Sequence, residues 1–323
     1  MRLVVMGAGP FAVPMFEALL DSPHEVAALV TRPQRQVRTR GDAPVNPMRQ
    51  AALRYNLAVF DPENANSPET LSVLQELAPD LLVVCDFGQI LKSATLASAP
   101  LGGINLHGSL LPRHRGASPV QAALYEGDAE TGVSVIHMTP RLDGGPCLVV
   151  RRTAILPGET AEELEPRLSQ LGVEPVLTAI DMLAAWDRES PIGEVQDPAL
   201  ATRAPRLAKT DGEVDWSRSA LAISHQIRAF KPWPKTYTHL LPDGAAPVRI
   251  LLDEVEVLSQ PASAEPGRVV SAQDGSLLVA TGDGLLSLRS VQPAGKRVMP
   301  VEEFLRGRPL KPGDRFGMLP PSA

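Results

Sequence analysis

The stretch GGINLHGSLLPRHRG, residues 102–116, predicts a buried strand that ends in a polar loop. Because alternate side chains of a strand share a face, we expect Asn105 and His107 on one face and Ile104 and Leu106 on the other. Open α/β sheets bind ligands at the carboxyl ends of strands, where this amide and imidazole stand. The pair could donate two hydrogen bonds to an oxyanion, as acyl or formyl transfer requires. The alternative is a core histidine that is satisfied by the backbone.

The residues around this stretch alternate between apolar strands and helices. Strands are predicted at 3–6, 25–30, 57–60, 81–85 and 133–138, and a hairpin partner for the last of them at 147–152. This alternation predicts a doubly wound, mostly parallel, Rossmann-like α/β domain over residues 1–189, which ends in a mostly helical stretch from Glu159. Residues 32–47 have no apolar period and form a long inserted loop (32–49 with its flanks), of a kind that is usually functional or disordered.

The segment GAGPFA at residues 7–12 matches the Gly-x-Gly-x-x-Gly/Ala fingerprint of dinucleotide-binding folds. The acidic residue that should end the second strand is missing, since that strand leads into Thr31 and Arg32. Pro10 also removes an N–H that a pyrophosphate would use. We therefore expect no NAD(P), although Arg32 could suit a 2′-phosphate and leaves an NADP-dependent oxidoreductase as an alternative.

The C-terminal part has a different pattern. Residues 190–206 are rich in proline, lack periodicity and are predicted to be a linker. A turn at 209–212 and a helix from about Ser219 follow, and then short strands at 248–252, 267–271, 277–281 and 285–290. Asp274-Gly275 and Asp283-Gly284 are strong hairpin turns. Residues 207–323 are therefore predicted to form a small β-barrel of the oligonucleotide/oligosaccharide-binding (OB) type.

Composition and charge exclude several classes of protein. No apolar run reaches the ~18 residues that a membrane-spanning helix needs, and no signal peptide precedes the first strand. Two isolated cysteines, Cys85 and Cys147, make no disulfide or metal pattern. We expect a reduced, cytoplasmic, monomeric protein without a metal ion or membrane contact.

The net charge of −6 argues weakly against nucleic acid, but its distribution is uneven. Residues 1–202 carry 15 Lys/Arg and 24 Asp/Glu, whereas residues 203–323 carry 16 and 13. A second basic region is the group of arginines between Arg32 and Arg49. A polyanion could bridge the two regions, and a solvated arginine-rich loop is the alternative.

Three ordered blocks carry a resemblance to a known family. The pattern Asn-x-His-x-Ser-Leu-Leu-Pro-x-x-x-Gly at 105–116 is followed by GDAETGV at 127–133 and LDGGP at 142–146. In this order they resemble the enzymes that transfer formyl groups from 10-formyltetrahydrofolate. Within that family the inserted loop, the segments KTDGEVDWS (209–217) and QIRAFKPWP (226–234), and residues 288–313 resemble the branch that acts on methionyl-tRNA.

The resemblance implies transfer of a formyl group from 10-formyltetrahydrofolate to the α-amine of methionine on initiator tRNA. Asn105 and His107 would hold the oxyanion of the tetrahedral intermediate. Asp143, from another loop, would lie against His107, favour its imidazolium form and take the amine proton directly or through a water. By itself, Asp143 in Leu-Asp-Gly-Gly could equally be a turn residue.

The resemblance also implies binding residues. The folate would be bound by two segments: Ser109, Leu110, Leu111 and Pro112, and Phe87, Gly88, Gln89, Ile90 and Leu91. The tRNA would contact basic side chains of both domains: Arg35, Arg38, Arg40, Lys209, Arg228 and Lys296. Two departures from the family pattern are an inserted loop without lysine and His114 in place of a usual Trp.

Two further alternatives remain at this stage. A formyltransferase for an amino sugar nucleotide or another small amine would keep Asn105, His107 and Asp143 but would not need the basic C-terminal domain. A non-catalytic RNA-binding protein would use the barrel alone and leave those three residues without a purpose.

Overall fold

The computed structural model describes residues 1–34, 46–242, 244–262, 264–273 and 275–319. The chain forms two compact units. The first comprises Met1–Val120, Ala129–Ile155 and Glu163–Pro205, and the second comprises Gln121–Asp128, Leu156–Glu162 and Arg206–Ala323. By packing, residues 190–205, which we predicted as a linker, therefore belong to the first unit. The functional division into 1–189, 190–206 and 207–323 remains a prediction.

The regular elements up to residue 205 follow the predicted alternation, with boundaries shifted by a few residues. In chain order they are β1 (Arg2–Gly7), α1 (Val13–Leu20), β2 (Glu25–Val30), α2 (Pro47–Arg54), β3 (Val59–Phe60), α3 (Pro68–Leu77), β4 (Leu81–Cys85), α4 (Ser93–Leu96), β5 (Gly103–His107), β6 (Arg115–Gly116), α5 (Pro119–Glu126), β7 (Glu130–His137), β8 (Cys147–Ala154), α6 (Ala161–Leu171), α7 (Val173–Ala184) and β9 (Arg203–Ala204).

The sheet of the first unit has the order β3-β2-β1-β4-β5-β7-β8. Strands β3 to β5 are parallel, and β7 and β8 are added antiparallel as the predicted hairpin. This confirms the doubly wound, mostly parallel sheet. Strand β4 is buried along its whole length, because helices cover both faces of a parallel sheet. The carboxyl ends of β1, β4 and β5 lie side by side, and the loops that leave this edge carry the predicted site residues.

The single helical stretch predicted for 159–189 is two helices, α6 and α7, which meet at Gly172. A Cβ at Gly172 would stand 2.6 Å from the Leu106 side chain, so the close approach of β5 requires a glycine there. The periodicity of the leucines runs through both helices and therefore could not show the break.

The second unit contains most of α5 and the elements after residue 205. In chain order these later elements are α8 (Ala220–Ala229), β10 (Thr236–Leu240), β11 (Val248–Leu258), β12 (Val269–Ser271), β13 (Leu277–Ala280), β14 (Leu285–Pro293), β15 (Met299–Pro300), α9 (Val301–Gly307) and β16 (Phe316–Gly317). Helix α8 begins where predicted, because Ser219 caps it by accepting a hydrogen bond from the Ala222 N–H at 3.2 Å.

The second sheet is antiparallel, with the order β12-β13-β14-β11-β10-β16 and β15 beside β14. Its two end strands are joined by backbone hydrogen bonds, such as Val269 N to Asp314 O and Phe316 N to Gly267 O, both 2.8 Å. The sheet therefore curls back on itself, as an OB-like barrel does. Ile223, Trp216 and Phe316 lie in its core.

The sequence pattern does not predict β10, because two of its three inward positions are threonines. Thr236 and Thr238 are buried, and Thr238 Oγ1 accepts a hydrogen bond of 2.9 Å from the Trp216 indole N–H. Buried polar groups are tolerated when they are hydrogen-bonded. The strand therefore lacks the apolar alternation by which strands are recognised. Within the described ranges, no helix has both the length and the apolar character to cross a bilayer.

Candidate active site at the carboxyl edge of the parallel sheet

His107, the last residue of β5, is buried between two partners. Its Nε2 lies 2.9 Å from the His114 carbonyl oxygen. Because a carbonyl oxygen can only accept, Nε2 carries a proton and donates it. Its Nδ1 lies 3.8 Å from Asp143 Oδ2, beyond a direct hydrogen bond but within the range of charge attraction. His107 is therefore both hydrogen-bonded to the backbone, through Nε2, and placed beside Asp143, through Nδ1. The interpretation as a core histidine describes Nε2, and the interpretation as a catalytic residue describes Nδ1.

Asn105 lies two residues before His107, at a half-buried position of β5. The neighbours Ile104 and Leu106 are buried, as the alternation of the strand predicts. Within the described part of the chain, the Asn105 side-chain amide makes no hydrogen bond to another protein group. An amide left open at a strand end can donate to a bound molecule.

Asp143 reaches the site from the turn between β7 and β8. Its Oδ2 accepts a 2.9 Å hydrogen bond from the Gly116 N–H, and the same oxygen faces His107. Its backbone has φ 47°, an unfavourable conformation for a residue with a side chain. The carboxylate is thus held by Gly116, the last residue of the 105–116 pattern. The carboxylate of a turn residue that faces solvent would have no such contact.

Two residues that sequence reasoning did not select, Gln196 and Arg115, surround this turn. Gln196 donates from Nε2 to the carbonyl oxygens of Asp143 (2.8 Å) and Gly145 (2.6 Å). Its Oε1 accepts from Arg115 Nε (3.1 Å) and Nη2 (2.6 Å). Burial, together with the nearby Arg141 guanidinium, lowers the pKa of Arg115. Gln196 stands in the aperiodic 190–206 segment, where no sequence signal marks it.

The loop after β5, predicted to bind folate, is fixed mainly by Ser134 of β7. The Ser134 hydroxyl accepts from the Leu111 N–H at 3.1 Å and donates to the Ser109 carbonyl at 2.8 Å. Ser109 is fully buried, and Leu111 packs in a small cluster with Ile136 and Cys147. The side chains of Leu110 and Pro112 are half-buried. An apolar contact to a bound folate is therefore open to Leu110 but not to the side chain of Leu111.

The second predicted folate segment, residues 87–91, follows β4. Phe87 and Leu91 are buried in the core, whereas Gly88 and Ile90 are exposed. Gln89 is half-buried, and its Oε1 accepts a hydrogen bond of 2.8 Å from the Ala65 N–H. The Ile90 side chain and the Gly88 backbone are therefore accessible, whereas Phe87 and Leu91 pack inside.

The glycine-rich turn after β1 is covered by side chains of the chain itself. The Asp86 carboxylate occupies the space where a Cβ on Gly9 would stand. Arg32 donates from Nε to the Phe87 carbonyl at 3.0 Å, and its Nη2 lies 4.0 Å from Asp86 Oδ1. A carboxylate on this turn repels a pyrophosphate, and Arg32 is already engaged with the backbone.

Of the six residues predicted to contact tRNA, three, Arg35, Arg38 and Arg40, lie outside the described residues. Lys209 and Lys296 are exposed in the second unit. Arg228 is different, because its Nη1 donates to the Glu159 carbonyl at 2.9 Å and burial lowers its pKa. Its guanidinium therefore serves the fold of the second unit.

The two cysteines have no catalytic surroundings. Burial raises the pKa of the Cys85 thiol well above its ordinary value. Burial, with Glu194 nearby, raises the pKa of Cys147 to about 11. Both thiols are therefore protonated at neutral pH and are poor nucleophiles. Among the described residues, no group of three or more His, Cys, Asp or Glu side chains is arranged to hold a metal ion.

Comparison with known proteins agrees with this geometry. Residues 1–180 match the family described as formyl transferase, and residues 206–309 match the formyl transferase C-terminal domain. The methionyl-tRNA formyltransferase of Rhodopirellula baltica is 47% identical over 98% of this chain and 96% of its own length. That of Roseiflexus castenholzii is 40% identical over 98% and 99%.

Solved structures show the same fold at low identity. WlaRD, a sugar 3N-formyl transferase, matches 92% of this chain and 99% of its own with a TM-score of 0.63 and 14% identity. HypX from Aquifex aeolicus matches 98% of this chain and 50% of its own with a TM-score of 0.59 and 16% identity, in a complex with tetrahydrofolic acid. From its two matched domains and its full-length relatives, the chain belongs to the methionyl-tRNA formyltransferase family.

Proposed function

We propose that this protein transfers the formyl group of 10-formyltetrahydrofolate to the α-amine of methionine on initiator tRNA. The observation that carries the proposal is the group of His107, Asp143 and the open Asn105 amide at the end of β5. Relatives that cover both units under the name methionyl-tRNA formyltransferase support the acceptor. WlaRD, which acts on a sugar, shares the fold only.

The reaction needs no covalent intermediate between enzyme and substrate. The free amine attacks the formyl carbon, a C–N bond forms, and the carbonyl oxygen becomes an oxyanion. Asn105 donates to this oxygen from its amide. Since Nε2 of His107 is bonded to the His114 carbonyl, the ring serves the substrate through Nδ1, which must then carry a proton as well. One such donor is typically worth ~10²–10³ in rate.

Asp143 has two tasks in this scheme. Its carboxylate, 3.8 Å from Nδ1, stabilises the imidazolium form of His107 and so strengthens the donor. It also takes the proton from the attacking amine, directly or through a water, and returns a proton to N10 as the C–N10 bond breaks. Because 3.8 Å is too long for a hydrogen bond between Asp143 Oδ2 and His107 Nδ1, the carboxylate can exchange a proton with the substrate.

The folate would bind along the two loops at the carboxyl edge. We propose contact through the accessible side chains of Leu110, Pro112, Gln89 and Ile90 and through the backbone of Gly88. Ser109, Leu111, Phe87 and Leu91 would shape the site by their buried side chains and contribute backbone groups. The burial of side chains supports this division, since Phe87 and Leu91 pack in one core cluster and Leu111 packs in another.

The tRNA would be bound by cations on both parts of the chain. We propose phosphate contacts from Arg35, Arg38 and Arg40 of the inserted loop and from two lysines, Lys209 and Lys296. The two lysine side chains are exposed and therefore available to a phosphate. Arg228 is left out of this set, because its guanidinium bonds to Glu159. Such contacts make binding strongly dependent on salt.

We also propose that the protein acts as a monomer in the cytoplasm, without NAD(P) and without a metal ion. One chain supplies Asn105, His107 and Asp143, which supports a monomer. Asp86 on the glycine turn and the engagement of Arg32 argue against a dinucleotide. Direct attack by an amine requires no Lewis acid, and the substrate tRNA is a cytoplasmic molecule.

A single assay tests the function. The protein is incubated with labelled 10-formyltetrahydrofolate and, in parallel, with initiator Met-tRNA, elongator Met-tRNA or an amino sugar nucleotide, and the formylated product is identified. We expect label on initiator Met-tRNA, with His107→Ala as the inactive control. Formylation of the amino sugar but not of either tRNA would overturn the proposal.

A further inference from the structure

Residues 194–204, which we call the strap, lie across the loops of the candidate site. Cys147 and Glu194 exchange two backbone hydrogen bonds, both 2.8 Å, at one end of the strap. At the other end, Arg115 N donates to the Thr202 carbonyl at 2.9 Å, and β9 pairs with β6 in parallel. The strap is thus attached to the signature loop and to the residue that begins β8.

Gln196 is the buried side chain in the middle of the strap. A primary amide has two N–H donors and an oxygen with two lone pairs. Gln196 uses all four: its N–H groups bond the carbonyls of Asp143 and Gly145, and its oxygen accepts twice from Arg115. The reverse orientation of the amide would set N–H against guanidinium and oxygen against carbonyls, so only this orientation is possible.

This arrangement acts on a residue whose backbone conformation needs support. Asp143 holds an unfavourable backbone conformation, φ 47°, in a turn beside Gly144 and Gly145. Such strain persists only where the surroundings over-determine it. Gln196 fixes the backbone of this turn on one side, and the Gly116 N–H fixes the carboxylate on the other. Arg115, which precedes Gly116 in the chain, is itself bonded to Gln196 and connects the two sides.

We propose that Gln196 is a positioning residue for formyl transfer, which holds the Asp143 turn so that the carboxylate stays beside His107. The inference rests on the proposed function, because it assumes that Asp143 exchanges a proton in the reaction. Gln196 does not touch the reacting atoms, and its effect is transmitted through the two carbonyl oxygens it bonds. Misplacement of a reacting group by about 1 Å can cost ~10² in rate.

Two variants separate the two halves of the amide. Gln196→Leu removes all four hydrogen bonds, whereas Gln196→Glu keeps the size and the Arg115 contact but sets a carboxylate oxygen against two carbonyls. We expect both to lower kcat by ~10–10² while KM for Met-tRNA and Kd for folate stay within about twofold. Val195→Ala is the matched control, since its side chain on the same strap is 84% exposed, and it should keep wild-type kinetics. Wild-type kcat in Gln196→Glu would overturn the proposal.

A double-mutant cycle shows whether Gln196 acts through Asp143. In an Asp143→Ala background, Gln196→Leu should lower single-turnover formylation by less than about twofold further, because the group it positions is gone. A full additional loss there would mean a merely structural role and would overturn the inference. A wild-type protein that fails to formylate Met-tRNA refutes the proposed function instead, whereas Gln196 variants with the same kcat as an active wild type refute only this inference.

Discussion

The side chains assigned to the chemistry in the first unit and those assigned to tRNA in the second are held in opposite ways. In the first unit, His107, Asp143 and Gln196 are buried or nearly so, and each of them is held by a hydrogen bond to the backbone. In the second, Lys209 and Lys296 extend into solvent. Stabilising a developing charge requires donors that are already in place, whereas attracting a polyanion requires only a net field. Loss of one of these side chains should therefore be severe in the first unit and mild in the second.

The largest effect is expected at the three residues of the candidate site. Asn105→Ala, His107→Ala and Asp143→Ala should each lower kcat by at least ~10², because each removes stabilisation of transition-state charge. Single-turnover formylation of Met-tRNA measures this, and circular dichroism checks the fold. Near wild-type turnover in any one of the three would show that its assigned role is wrong.

A smaller effect is expected in the inserted loop. Arg38→Ala combined with Arg40→Ala should raise KM for Met-tRNA by about tenfold and flatten its dependence on salt, because phosphate contacts are lost. The Kd for folate, measured by fluorescence titration, should not move. If the double variant and the wild type have the same KM at 50 mM salt and again at 200 mM salt, the loop does not contact the tRNA.

The second unit offers a matched pair of changes. Lys209→Ala combined with Lys296→Ala should weaken tRNA binding a few-fold and leave the free energy of unfolding unchanged. Arg228→Ala should instead lower that free energy by about 1 kcal/mol, through loss of its bond to the Glu159 carbonyl, and leave the salt dependence of tRNA binding as it was. Filter binding and urea denaturation distinguish the two. A lower salt slope in Arg228→Ala would return this arginine to the tRNA-binding set.

The smallest effect is expected at the cysteines. Cys147→Ser should retain formyl transfer, because burial raises the pKa of Cys147 to about 11 and no thiolate exists at neutral pH. The sign for stability follows: the folded state keeps this proton while the unfolded chain loses it, so stability should fall as pH rises from about 9 towards 11. The wild type should show this loss and Cys147→Ser less of it. A folded but inactive Cys147→Ser would point to covalent chemistry.

Local patterns in the sequence were enough for much of the first unit. The alternation of apolar strands and helices predicted β1, β2 and β4 closely, since a strand buried on both faces is a run of apolar residues. The same reasoning did not predict β10, where buried threonines are satisfied by hydrogen bonds. It also did not divide the helical stretch at Gly172, because the apolar periodicity runs through both helices.

That Asn105 and His107 share a strand face could be predicted from the sequence alone, because the two-residue period of a strand is a local property. The resemblance to a known family also pointed to Asp143 as their partner. Contacts between distant parts of the chain, in contrast, explain why His107 Nε2 bonds the His114 carbonyl, why Leu111 and Arg228 are engaged within the protein, and how Gln196 bonds the Asp143 turn. Gln196 and Asp143 are separated by 53 positions in the chain. A hydrogen bond over that distance depends on where two loops meet in space, which no local pattern of residues encodes.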